Sequence, residues 1–104
     1  MIRAQFMRQT GSLCGLSLSG HAGYADKGKD IVCAAVTSAV QLTANGITEV
    51  LGLSVPVTVA ENSLAFSIPP DSHTAVLFME ALLLHLNVLA DMYTDCIEII
   101  ITEV

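Results

Sequence analysis

His21 and Cys33 are the two side chains of this 104-residue chain best suited to do covalent chemistry together. A cysteine thiolate is a strong nucleophile toward a carbonyl carbon. An imidazole titrates near neutrality, so it can take the thiol proton and later return one to a leaving amine. The two residues stand at opposite ends of one segment, Gly20 to Lys29. That segment holds three glycines, one aromatic residue and three charges, with no apolar period. It reads as a loop.

The cysteine has a further local advantage. Asp30 is a favoured helix N-cap, and an apolar run follows it to about Leu51, with Gly52 as a stop. Cys33 is then the third helical residue, in the positive field of the unsatisfied first-turn amides. Those amides favour a thiolate and could also hold an oxyanion. The Asp30 side chain is expected to accept from the amide of Val32 or Cys33 and so fix the turn that aims the sulfur. Because it lies on the cysteine's own helix, Asp30 reads as a cap and positioning residue, with no place as a third catalytic member. Gly20, Gly23, Tyr24 and Gly28 are the candidates for loop hinge or substrate contact. Gly23 and Gly28 suit hinges of a lid. Tyr24 suits stacking on aromatic substrate residues and ordinary packing equally.

Taken singly, each residue also has an ordinary reading. A helix cysteine serves as a small core residue, and a loop histidine is commonly solvated. Composition and spacing reach a thiol beside a histidine and stop there.

The elements around the pair are legible from periodicity. Ile2–Arg8 reads as a strand, and Thr10-Gly11-Ser12 as a turn. Leu13–Ser19 alternates, with Cys14, Leu16 and Leu18 expected on one face. The first helix should be buried nearly all round, since Val32, Val36, Val40, Ile47 and Val50 keep a helical period and alanines fill the other faces. Val55–Ala60 and Ser63–Ile68 form a hairpin about Glu61-Asn62. Asp71 or Ser72 caps a second helix to about Met92, striped by Val76, Met79, Leu83, Leu86 and Ala90. Cys96–Glu103 is a last strand. The order strand-strand-helix-strand-strand-helix-strand predicts an α+β fold in one domain, residues 1–104, with two helices packed on a mixed β-sheet.

Composition narrows the function classes. Hydrophobic residues make up 53% and charged residues 13%, against about 25% charged in an average domain. Disorder is excluded, and part of the apolar excess suits a subunit interface. A net charge of −6 disfavours a nucleic-acid surface. The uncharged stretch from Ile31 to Thr48 carries Thr37, Gln41, Thr43 and Asn45, so it reads as a buried helix and not as a membrane span. Met1–Arg8 lacks the apolar block of a signal peptide, which places the expectation in the cytoplasm. Cys14, Cys33 and Cys96 are odd in number and widely spaced, without a CxxC. No disulfide framework or zinc ribbon follows, and Cys14 and Cys96 read as structural. A metal site from His21, Cys33, Asp26 and Asp30 has no standard ligand spacing; no cofactor or metal is expected. His85 and His73 read as residues at the edge or cap of the second helix.

The motif itself is more specific than its parts. Gly20-His21-Ala22, then Gly28-Lys29-Asp30-Ile31-Val32-Cys33-Ala34-Ala35, resembles the signature of the ribosomal-processing cysteine protease family, Prp. The resemblance implies a cysteine endopeptidase with His21 and Cys33 as its dyad. It implies removal of the N-terminal extension of a large-subunit ribosomal protein, after a segment rich in aromatic residues. It further implies a homodimer and a mobile loop between the catalytic residues. The competing reading is a non-catalytic peptide-binding or ribosome-assembly factor that uses the loop as a clamp.

Overall fold

The computed structural model describes residues 1–26, 29–69 and 71–104. Five strands and two helices follow one another: β1 (Ile2–Gln9), β2 (Ser12–Gly20), α1 (Ile31–Asn45), β3 (Val57–Ala60), β4 (Ser63–Ser67), α2 (His73–Met92) and β5 (Ile97–Glu103). The sheet order is β3-β4-β2-β1-β5. β5 pairs in parallel with β1 and the other neighbours are antiparallel, so the sheet is mixed and the fold α+β.

Alternation along the strands decides which face is covered. Ile2, Ala4 and Phe6 of β1, Leu16 of β2, Phe66 of β4 and Ile97 of β5 are buried, in one core with Val32, Val36, Val40, Met79, Leu82 and Leu86 of the helices. The opposite face is polar. There Arg3 pairs with Glu98 at 3.3 Å and Gln5 donates to Thr102 at 3.0 Å. At the far end of β1, Arg8 reaches Glu80 of α2 at 2.9 Å and ties sheet to helix.

Two expectations need correction. Cys14 does not share the buried face with Leu16. A β-bulge lies between Met7 and Arg8: Met7 pairs with Gly15 and Arg8 with Leu13, leaving Cys14 as the extra residue. The bulge reverses the side-chain parity, so Leu13 is the one that is fully buried. Nor is α1 buried all round. Leu42 is 75% and Val50 80% exposed, because the helix packs on the sheet by one side only. A π-helical turn, Gly46–Val50, continues α1, with the amide of Leu51 donating to the carbonyl of Gly46. Residues 31–50 and 73–92 are each long and apolar enough to cross a membrane by length and composition. In this fold both lay one side against the sheet.

Candidate active site

The site is assembled where β2 ends and α1 begins. Gly20, the last residue of β2, adopts φ +87°, and a Cβ there would run into the carbonyl of Met1. Only glycine fits, so the exit direction of the chain is fixed at that point. The amide of Gly20 donates to the carbonyl of Asn62 at 3.0 Å, which holds the exit against the β3–β4 hairpin. His21 follows and is exposed. Ala22 then turns inward, 4% exposed, with its methyl in the core.

The returning end of the loop is organised by Asp30. One carboxylate oxygen, Oδ1, accepts from the amides of Val32 and Cys33, each at 3.0 Å. The other, Oδ2, accepts from the amides of Tyr24 at 3.0 Å and Ala25 at 3.3 Å. The expected cap is therefore present, and it does more than start a helix: the same carboxylate latches the loop onto it. These bonds hold the Asp30 carboxyl below its ordinary value of 3.8, chiefly through the Cys33 amide; desolvation is the next largest effect and opposes it, and the Ala25, Tyr24 and Val32 amides each add a smaller lowering. Tyr24 adds a second fastening. Its ring meets Tyr93, at the C-terminus of α2, edge to face at 5.6 Å.

Cys33 is half-buried at the first turn of α1. Its sulfur accepts a hydrogen bond from the amide of Ala22 at 3.3 Å. The backbone beside His21 thus touches the Cys33 sulfur directly. The first-turn amides themselves are not free as expected. Asp30 takes those of Val32 and Cys33 with its side chain and that of Ala34 with its carbonyl, at 3.1 Å. A well-formed cap consumes the donors that an oxyanion would need.

Two depressions meet at the pair. The first, a cavity of about 420 Å³, runs between α1 and the β2–β4–β3 side of the sheet. Its wall is mainly aliphatic, from Leu18, Val36, Val40, Val59 and Leu64, with Gln41 and Asn62 among its polar residues. The second is bordered by Gly23, Ala25, Asp26, Asp30 and Ala34. His21, Cys33 and Thr37 line both and form the ridge between them.

Of the sequence-predicted residues, His21, Cys33, Gly20, Gly23, Asp30 and Tyr24 all fall at this site; Gly28 lies outside the described residues. Gly23 has φ +71° with open space about it, which suits a hinge. Among the described residues no three His, Cys, Asp or Glu side chains lie close enough to hold a metal. Sequence reasoning missed three participants. Thr37 stands one helical turn after Cys33, a spacing that could have singled it out. The Ala22 amide and Tyr93 left no sequence signal, because a backbone donor has no residue type and Tyr93 is remote in the chain.

The family model described as cysteine protease Prp matches residues 1–98. No curated protein matches the sequence. Among solved structures, the fold is similar to that of SMU.848 from Streptococcus mutans, at 28% identity and TM-score 0.84, covering 100% of this chain and 96% of that one. It is also similar to the essential ribosomal processing protease Prp of Staphylococcus aureus in complex with a covalently linked product peptide, at 21% identity and TM-score 0.87, covering 97% and 99%. The same protease in complex with a substrate peptide gives 19% identity and TM-score 0.85 over the same shares.

Proposed function

The chain belongs to the cysteine protease Prp family, and on that premise we propose that it removes the aromatic-rich N-terminal extension of a large-subunit ribosomal protein. The observation that carries this reading is the ridge of Cys33 and His21 between an aliphatic cavity and a second depression bordered by Asp26 and Asp30. A peptide laid across the ridge presents its scissile bond to the sulfur while an aromatic side chain fills the cavity. Apolar lining with a few polar groups is the usual make-up of a small-molecule or side-chain pocket.

In the proposed mechanism His21 takes the thiol proton and Cys33 attacks the scissile carbonyl carbon. The carbon–nitrogen bond breaks as the amine takes a proton from the His21 imidazolium. Water, activated by the same imidazole, then hydrolyses the thioester. Asp30 positions the sulfur and holds the loop. The enzyme works in the cytoplasm, where ribosomal proteins are made.

The proposed assembly is a homodimer. Along α2, Leu77, Leu84, Val88 and Met92 are exposed on one stripe, and the exposed Ala81 completes a three-and-four spacing. Such a stripe is the pattern of a helix–helix seam.

The experiment is cleavage of a synthetic peptide spanning the extension junction. Cys33→Ala should abolish turnover and His21→Ala should reduce it by orders of magnitude. Full-rate cleavage by Cys33→Ala overturns the reading, and full-rate cleavage by His21→Ala removes the dyad while leaving the nucleophile.

A further inference from the structure

We infer that the backbone amide of Ala22 is the oxyanion donor of the acyl-transfer step, an inference that rests on the cysteine-protease reading of the site. Three observations converge on it. The first-turn amides of Val32, Cys33 and Ala34 are occupied by Asp30, so the helix terminus offers no spare donor at those positions. The N–H of Ala22 points at the Cys33 sulfur at 3.3 Å. Its position is fixed from both sides, by the buried methyl of Ala22 and by the obligatory left-handed turn at Gly20.

The chemistry follows from that placement. In the resting enzyme the donor faces the sulfur itself. When the sulfur bonds to the carbonyl carbon, the π electrons of the carbonyl move to its oxygen, and the negative charge moves with them to an atom two bonds from the sulfur. A donor already held against the sulfur is within reach of that oxygen and needs no reorganisation. As the tetrahedral intermediate collapses, the electron pair returns to re-form the carbonyl, the carbon–nitrogen bond breaks, and the amine leaves with the His21 proton. The donor itself gives up nothing.

Replacing the His21–Ala22 amide by an ester removes this one N–H. The full chain can be assembled by ligation at Cys14 and Cys33. Two reagents then separate the roles. p-Nitrophenyl acetate acylates the sulfur through an oxyanion, whereas iodoacetamide alkylates it without one. We expect acylation to fall roughly 10²-fold more than alkylation, the usual scale for losing one oxyanion donor. An equal fall in both rates, or no fall in either, overturns the inference. Ala22→Gly keeps the N–H and removes the buried anchor, so it provides a second reading should the ester chain fold poorly. It should slow acylation while sparing alkylation, and equal effects on both overturn the inference again. The nitrophenyl ester needs no peptide recognition, so the donor role is judged separately from the ribosomal substrate.

Discussion

Oδ1 of Asp30 accepts the amide N–H of Cys33 at 3.0 Å, while Oδ2 of the same carboxylate takes the loop amides of Tyr24 and Ala25. One side chain thereby sets the turn beneath Cys33 and fastens the loop beside it. Any change at Asp30 must disturb both together. Asp30→Ala should lower the thermal midpoint and slow cleavage roughly 10²-fold, the scale expected when a reacting group is misplaced by about 1 Å. Asp30→Asn keeps one acceptor and should fall between. Wild-type kinetics from Asp30→Ala would show that neither end depends on it.

The Asp30 latch is also pH-dependent, with a definite sign. Its carboxyl is held below the ordinary 3.8 in the folded chain, so the unfolded chain binds the proton more readily. The contribution of the latch is full above that ordinary value and is lost as pH falls through the lower folded value. Amide exchange at Tyr24 and Ala25, corrected for intrinsic rates, should stay slow at neutral pH and accelerate only in acid. In Asp30→Asn it should be fast throughout. Acceleration already near neutrality would contradict the assignment.

Gly20 offers a test of the strand exit. An alanine there must adopt a left-handed backbone, costing about 1–2 kcal/mol, and its Cβ meets the carbonyl of Met1. Gly20→Ala should be destabilised by at least that amount in denaturant unfolding and should lose activity as His21 and Ala22 shift. Gly23→Ala meets no neighbour, so it should pay only the backbone strain.

The loop's second fastening can be removed alone. Tyr93→Ala deletes the edge-to-face partner of Tyr24, a contact worth about 0.5–1.5 kcal/mol. Exchange in the loop should quicken several-fold while the chemistry of Cys33 toward small alkylating reagents is little changed. Unaltered exchange would show that Asp30 alone holds the loop.

The apolar stripe of α2 predicts the assembly. Leu84, 68% exposed, stands in the middle of it. Leu84→Glu should convert a dimer to a monomer in light scattering without unfolding the chain. A wild-type monomer at micromolar concentration would contradict the homodimer.

Much of this was legible in the sequence for identifiable reasons. Alternation in β1 and the hairpin about Glu61-Asn62 fixed the strands, and Asp30 before an apolar run gave the helix start. Each depends on local chemistry. The bulge that leaves Cys14 out of register was not legible, because alternation is blind to one inserted residue. The exposed side of α1 was misjudged for a different reason. Leu42 and Val50 are apolar, and periodicity alone does not say whether anything covers them. At the site, residue types identified His21, Cys33 and Asp30, but the Ala22 N–H on the sulfur and the Tyr24–Tyr93 contact exist only once the chain has folded. The expectation of free helix amides failed because the cap that supports the site also occupies them.

The proposed mechanism requires Cys33 to form a covalent acyl intermediate with the processed peptide. Intact-mass spectrometry of the protein, quenched in acid during turnover of the junction peptide, tests it most directly. A mass increase equal to the free N-terminal fragment less one water is expected, mapped to Cys33 and absent in Cys33→Ala. Cleavage with no adduct in the wild type, together with cleavage by Cys33→Ala, would contradict it.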